Sequence, residues 1–147
     1  MKRRIASWRV LGDQVVFTNG CFDLLHLGHV DYLEKARQFG DRLVVGLNSD
    51  TSVRELKGAE RPLVPEAARA RVLAALEFVD GVVLFSEATP QELIEQLSPE
   101  VLVKGADYQL HEIVGHEWVL SHGGRVERIE LVEGFSTSSL VEKLRGD

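Results

Sequence analysis

Short apolar runs alternate with stretches of helical spacing along most of this chain. Residues 15–19, Val-Val-Phe-Thr-Asn, are apolar and β-branched up to Gly20, the pattern of a strand covered on both faces. Over residues 28–39 the period becomes helical, with Tyr32, Leu33, Ala36 and Phe39 along one side and Gly40 as the stop. Residues 43–47 form a second buried run that ends in polar Asn48-Ser49-Asp50. Residues 66–77, rich in Ala, Leu and Arg, predict a helix, and Asp80-Gly81 turns the chain into a strand at 82–85. Thr89-Pro90-Gln91-Glu92 predicts a capping box with proline at the first helical position, for a helix that runs to Leu97. A fourth strand at 101–103, a helix at 117–121, a fifth strand at 125–131 and a last helix at 138–144 complete the alternation. The first dozen residues carry only weak signals, and 48–61 reads as a long segment without an element of its own.

Strands alternating with helices pair in parallel through right-handed crossovers. The expected fold class is therefore α/β, a three-layer α/β/α sandwich around a doubly wound five-stranded parallel sheet. Ligands of such sheets sit beyond the carboxyl ends of the strands, where strand order reverses. That rule directs attention to residues 19–29, 48–61, 104–108 and 133–139. A length of 147 residues fits one domain, with 1–14 as an N-terminal extension and a core over about 15–145. Seventeen Lys and Arg against 23 Asp and Glu leave a net charge of −6. With no basic face to neutralise phosphates, a nucleic-acid partner is not expected. No apolar run approaches the roughly 18–20 residues that span a bilayer, and no apolar segment follows the basic N-terminus. A single cysteine, Cys21, cannot form an intramolecular disulfide, which fits a reducing, cytoplasmic compartment.

The residues with chemistry to offer fall in the segments named. His26 and His29, three positions apart, share one face at the start of the second element, with Gly28 between them where a ligand could approach the backbone. A helix amino end adds unpaired N–H groups and a positive dipole end, so anions are favoured there. The free site should hold both imidazole pKa values down, and a bound polyphosphate should raise them. The pair could instead merely cap the helix, or hold a metal with Asp23. Ser136, Thr137 and Ser138 gather hydroxyls where the last helix starts, although Ser139-Leu140-Val141-Glu142 is itself a capping box. Lys57 and Arg61 offer a mobile point charge and a planar fork, both useful around phosphates. Arg61 reads equally well as half of a solvated charge pair. Arg69 and Arg71 read as surface charges, although one of them could reach the site. His111, His116 and His122 match no motif, and Trp118 reads as a core or dimer contact.

Gly20-Cys21-Phe22-Asp23-Leu24-Leu25-His26-Leu27-Gly28-His29 resembles the HxGH signature of the cytidylyltransferase-like nucleotidyltransferase superfamily, and Glu133-Gly134-Phe135-Ser136-Thr137-Ser138 resembles its glycine-then-Ser/Thr motif. Leu56-Lys57-Gly58, Arg61-Pro62, Ala75-Leu76-Glu77-Phe78-Val79-Asp80 and Leu102-Val103-Lys104-Gly105-Ala106-Asp107-Tyr108 narrow the resemblance to the heptose-phosphate adenylyltransferases. It runs over about 15–144, in the stand-alone form rather than fused behind a sugar kinase. Ser138 stands where that family's pattern has a second threonine, and it keeps the hydroxyl.

The resemblance implies a Rossmann-like fold and transfer of AMP from ATP to a sugar 1-phosphate, a heptose 1-phosphate, releasing pyrophosphate without a covalent intermediate. The product, an ADP-heptose, is a precursor of lipopolysaccharide core. Catalytic roles fall to His29, His26 and Lys57. Nucleotide and phosphate contacts fall to Asn19, Gly20, Cys21, Phe22, Asp23, Gly105, Asp107, Ser136 and Thr137, and acceptor contacts to Asn48 and Arg61. Mg²⁺ would come held mainly by the triphosphate, with no protein metal site, and the family forms homodimers. The alternatives are a cytidylyltransferase for a polyol phosphate such as glycerol 3-phosphate, a more distant FMN adenylyltransferase, and a catalytically idle nucleotide-binding module that regulates a partner.

Overall fold

Five parallel strands form the sheet of the computed structural model, which describes residues 1–146. They are β1 (Val15–Gly20), β2 (Arg42–Asn48), β3 (Gly81–Phe85), β4 (Val101–Gly105) and β5 (Arg125–Ile129), in the spatial order β3-β2-β1-β4-β5. The helices are α1 (Lys2–Val10), α2 (Leu27–Arg37), α3 (Asp50–Lys57), α4 (Glu66–Ala74), α5 (Gln91–Leu97), α6 (His116–Ser121) and α7 (Thr137–Arg145). The expected α/β sandwich is thus the observed fold.

Strand alternation divides the core into two layers. Val16, Leu43, Val45, Val101 and Val103 pack with Leu33 and Ala36 of α2 and Leu73 of α4. Val15, Phe17, Val44 and Leu102 face the other way, onto Ile5 and Trp8 of α1, Ile94 and Leu97 of α5 and Val119 of α6. Order reverses between β1 and β4. There β1 stays paired with β2 from Val15 to Gly20, whereas its pairing with β4 stops at Val16–Val101 and Phe17–Leu102. β4 meanwhile continues beside β5 to Gly105. The carboxyl ends of β1 and β4 therefore part and open a crevice.

Two helices escape the hydrophobic pattern. In α1 only Ile5 and Trp8 are buried, a stripe too narrow to stand out among arginines. The guanidinium groups of Arg4 and Arg42 lie over its Trp8 ring, at 5.1 and 5.3 Å. In α3 the buried residues are Ser52 and Val53, and its signal is local: Ser49 caps it by accepting from the Ser52 N–H.

Other boundaries move by a few residues. β5 ends at Ile129, α4 at Ala74, and α6 begins at His116. Pro90 sits at the N-cap of α5, not inside it, and no side chain caps that helix. For α7 the cap is Ser136, whose hydroxyl accepts from the Ser139 N–H at 3.0 Å, so the box beginning at Ser139 is not the start of the helix.

Candidate active site

Above the parted strands lies a cavity of about 620 Å³. Every site residue expected from the sequence lines it: Asn19 to Asp23, His26, His29, Asn48, Lys57, Arg61, Gly105, Asp107, Ser136 and Thr137. Two helix amino ends meet at its rim. Thr137 Oγ1 of α7 donates to the Leu24 carbonyl just ahead of α2, at 3.4 Å. A Cβ placed on Gly28 would lie 3.3 Å from Cβ of Phe135 and 2.9 Å from the His26 ring, so only glycine fits between the two ends.

His26 is the N-cap of α2 and precedes its first turn: Nδ1 accepts from the Gly28 N–H at 3.1 Å. That bond requires an unprotonated Nδ1 and leaves the ring proton on Nε2. His29 stacks on His26 with ring centroids 3.8 Å apart, and Phe22 meets it edge-on at 5.3 Å. Burial lowers the His26 pKa. Burial lowers that of His29 to about 4, helped by His26 and Lys57 and opposed by the neighbouring Leu24 backbone. His29 Nδ1 is buried and has no partner. The site therefore holds two neutral imidazoles beside two helix amino ends, a set of donors suited to an anion.

The loop after β1 is held in a strained form. Phe22 has φ of 45°, and a Cβ on Gly20 would come within 2.9 Å of its ring. Arg69 pins this loop from below. Its side chain is fully buried, and its Nη1 donates to the carbonyls of Cys21 at 2.7 Å and Asn48 at 2.8 Å. Its Nε donates to the Val64 carbonyl and its Nη2 to Asp50, each at 2.8 Å. The expectation of a surface charge at Arg69 is therefore overturned. A five-donor fork is the group able to satisfy three buried carbonyls and a carboxylate at once. Arg71 is exposed, as expected.

Asp23 and Arg61 engage each other. Arg61 Nε donates to Asp23 at 2.8 Å, and the same carboxylate accepts the N–H groups of Leu63 and Val64 at 2.9 Å. Burial alone would raise the Asp23 pKa, but these donors outweigh it and hold the carboxyl below its usual range. Asp23 thus ties the 58–64 segment to the site. Burial raises the Cys21 thiol, with Lys57 and Arg69 pulling against it, so the thiol stays protonated at neutral pH.

One cation of the cavity, Lys104, has no role in the sequence reading. Its ammonium donates to the Asn19 carbonyl at 3.4 Å and lies 5.2 Å over the Tyr108 ring, and burial lowers its pKa. Its signal was a lysine at the carboxyl end of a buried strand. Of the histidines outside the motif, His111 and His122 are exposed. His116 bonds the Ile113 carbonyl, and His122 stacks on half-buried Trp118 at 3.9 Å.

Similarity to known proteins agrees with this geometry. Residues 17–143 match the cytidylyltransferase-like family. The bifunctional protein HldE of Geotalea uraniireducens is 65% identical over 141 residues, which is 96% of this chain and 29% of that protein. HldE of Magnetococcus marinus is 59% identical over 97% of this chain and 29% of its own length. The chain thus spans under a third of these relatives. Among solved structures, a lipopolysaccharide core biosynthesis protein from Thermoplasma volcanium superposes with a TM-score of 0.68 at 27% identity, covering 82% of this chain and 98% of that one. Pantothenate synthetase of Thermus thermophilus, at 17% identity and a TM-score of 0.58 over 87% of this chain and 60% of its own, shares the fold. A paired-histidine loop after β1 thus faces a second helix amino end across the switch point. The chain belongs to the cytidylyltransferase-like family. Among the described residues no helix is long and apolar enough to cross a membrane.

Two outcomes follow from the electrostatics. Arg69→Met should destabilise the fold by about 3–5 kcal/mol, because buried oxygens lose their donors. Urea unfolding would read this as a lower midpoint at unchanged slope, and a loss under about 1 kcal/mol would contradict the network. His29 should titrate near pH 4 in the free protein, as followed by ring NMR shifts. Because the unfolded chain takes up that proton first, near pH 6.5, stability is lost as pH falls from about 6.5 toward 4. A midpoint at the ordinary histidine value would oppose this.

Proposed function

We propose that this chain transfers AMP from ATP to a sugar 1-phosphate, a heptose 1-phosphate, giving an ADP-sugar and pyrophosphate. The observation that carries the reading is the meeting of the α2 and α7 amino ends around the stacked His26–His29 pair. Identities of 59–65% to the HldE proteins, and the lipopolysaccharide-core name of the Thermoplasma protein, support heptose as the sugar class.

In this reading an oxygen of the acceptor phosphate attacks the α-phosphorus of ATP while the bond from that phosphorus to the bridging oxygen breaks. Pyrophosphate leaves opposite the nucleophile. A phosphate monoester is largely dianionic at neutral pH, so no side-chain base must remove a proton. The protein's task is to align two anions and to stabilise charge as it shifts onto the leaving group. His26 donates to the triphosphate through Nε2–H while its Nδ1 stays the cap of α2, and the arriving anion raises the depressed His29 pKa, favouring its charged ring where negative charge grows. Ser136, Thr137 and the N–H groups of α7 hold the triphosphate tail, with Lys57 as a mobile counter-charge. Gly105 and Asp107 contact the adenosine. A Cβ on Gly105 would meet Asp107 Oδ1 at 2.5 Å, so glycine keeps that carboxylate in place.

Among the described residues no cluster of His, Cys, Asp or Glu could hold a metal ion, and Asp23 is committed to Arg61. Mg²⁺ belongs to the reading as part of MgATP, bound by phosphate oxygens and neutralising their charge.

The test is pyrophosphate release from ATP and CTP against a panel of sugar 1-phosphates and glycerol 3-phosphate. ATP with heptose 1-phosphate should give the highest kcat/KM. Preference for CTP with a polyol phosphate would replace the reading, and no release from any pair would favour a regulatory module. His29→Ala should lower kcat by about 10²–10³ with the fold intact, the scale for one preorganised donor. Turnover at the wild-type rate in that variant would remove His29 from the mechanism.

A further inference from the structure

The triphosphate groups named above belong to the α2 side of the sheet, and Thr18, which bonds Tyr32 of α2 at 2.8 Å, marks that side on β1. The next residue, Asn19, must leave the strand on the opposite face. Gly46 confirms this. A Cβ there would lie 2.7 Å from the Phe17 ring, which packs in the α1–α5 layer, and 3.3 Å from Cβ of Asn19. By the same alternation Lys104 follows Leu102 onto that face, and Asn48 follows Val44 and Gly46. Three neighbouring strand ends, β2, β1 and β4, thus present Asn48, Asn19 and Lys104 in one row, where Ala88 and Pro90 ahead of α5 also line the cavity.

This row is incompletely satisfied by the protein. Asn19 Oδ1 is buried and accepts no hydrogen bond. The half-buried Lys104 ammonium has three N–H groups and makes one long bond, to the Asn19 carbonyl; the Asp107 carboxylate favours its charge but forms no direct ion pair with it among the described residues. Asn48 is fixed by its donation to Ser52 Oγ at 2.9 Å. An unpaired buried acceptor is costly unless a ligand completes it, and the ammonium beside it keeps N–H groups for an anionic partner. The ligand that completes both has an anionic oxygen for the ammonium and a hydroxyl hydrogen for the carboxamide oxygen. A polyhydroxylated phosphate ester has both, and a triphosphate tail has no hydroxyl donor to offer at neutral pH.

We propose that Lys104 and Asn19 form the acceptor subsite, on the face of the sheet opposite the paired histidines. Lys104 holds the phosphate of the incoming sugar phosphate, and Asn19 Oδ1 accepts a hydrogen bond from one of its hydroxyl groups. Asn19 moves by this argument from the nucleotide, where the sequence resemblance put it, to the acceptor. The row sits where the two strands part, so the acceptor phosphate would approach through the crevice while the leaving pyrophosphate stays with α2 and α7. The assignment rests on the nucleotidyl-transfer reading and adds which side of the cavity takes which substrate.

The experiment compares wild type, Lys104→Met, Lys104→Arg and Asn19→Ala. It measures the acceptor KM by pyrophosphate release and the ATP Kd by calorimetry without acceptor. Loss of one charge-assisted contact should raise the acceptor KM of Lys104→Met about ten- to hundredfold, with the ATP Kd changed by less than about twofold. Asn19→Ala should raise the acceptor KM about three- to tenfold with the same split, and Lys104→Arg should recover part of the loss. Retained ATP binding shows that the variants are folded. The subsite is overturned if ATP binding weakens as much as acceptor binding, which would give the row to the ribose, or if the acceptor KM does not move. If wild type prefers CTP or a polyol phosphate, the heptose reading fails. The Lys104 effect is then read on the acceptor that wild type does use, so the two failures are separate.

Discussion

Beyond Phe17 and Leu102, β1 and β4 no longer pair, and this parting governs the rest of the site. In a sheet whose order reverses at that point, the crossovers leave to opposite faces and nothing fills the gap between the strand ends. Backbone groups and side chains there must find partners elsewhere. Lys104 reaches the Asn19 carbonyl from across the gap, and Arg69 gathers the carbonyls of Cys21, Asn48 and Val64 from one side. The cavity is therefore held open by polar bonds to its walls, while the apolar layers lie deeper, beneath the strand centres.

The electrostatics of the cavity follow from the same geometry. Its histidines are kept neutral by burial, one of them also by its role as a helix cap, and its half-buried lysine makes one long hydrogen bond with Asp107 as the nearby counter-charge. Asp23, the carboxylate of the loop ahead of the paired histidines, is neutralised by Arg61 and two N–H groups. An acidic chain of net charge −6 thus encloses a local site rich in donors. Such a site attracts small anions without the broad basic face that a polynucleotide requires.

Arg69 shows how structure and chemistry share residues. It contacts no expected ligand, yet it holds the loop that carries Cys21 and Phe22, the strand end that carries Asn48, and the cap region of α3. Its five donors meet four acceptors from segments far apart in sequence. A shorter or apolar side chain at this position would leave those oxygens buried and unpaired, so the geometry of the loop depends on a residue that lies beneath it.

The strands, the larger helices and the His26–His29 motif were legible because their causes are local: alternation, helical period and the chemistry of short loops. The α1 and α3 helices were not: α1 sets Ile5 and Trp8 among charged residues and α3 buries a serine beside Val53, so tertiary packing and a cap, not a hydrophobic period, stabilise them. Arg69 looked like any arginine on an amphipathic helix, and Lys104 like a polar end to a strand. Burial of a charged side chain depends on which distant carbonyls happen to surround it, and no local pattern encodes that. The amino-acid order therefore fixed the layers and the loop chemistry, whereas folding alone decided which face of the sheet each strand-end residue serves. That choice comes from the point at which two strands stop pairing, a property of contacts between segments some eighty residues apart.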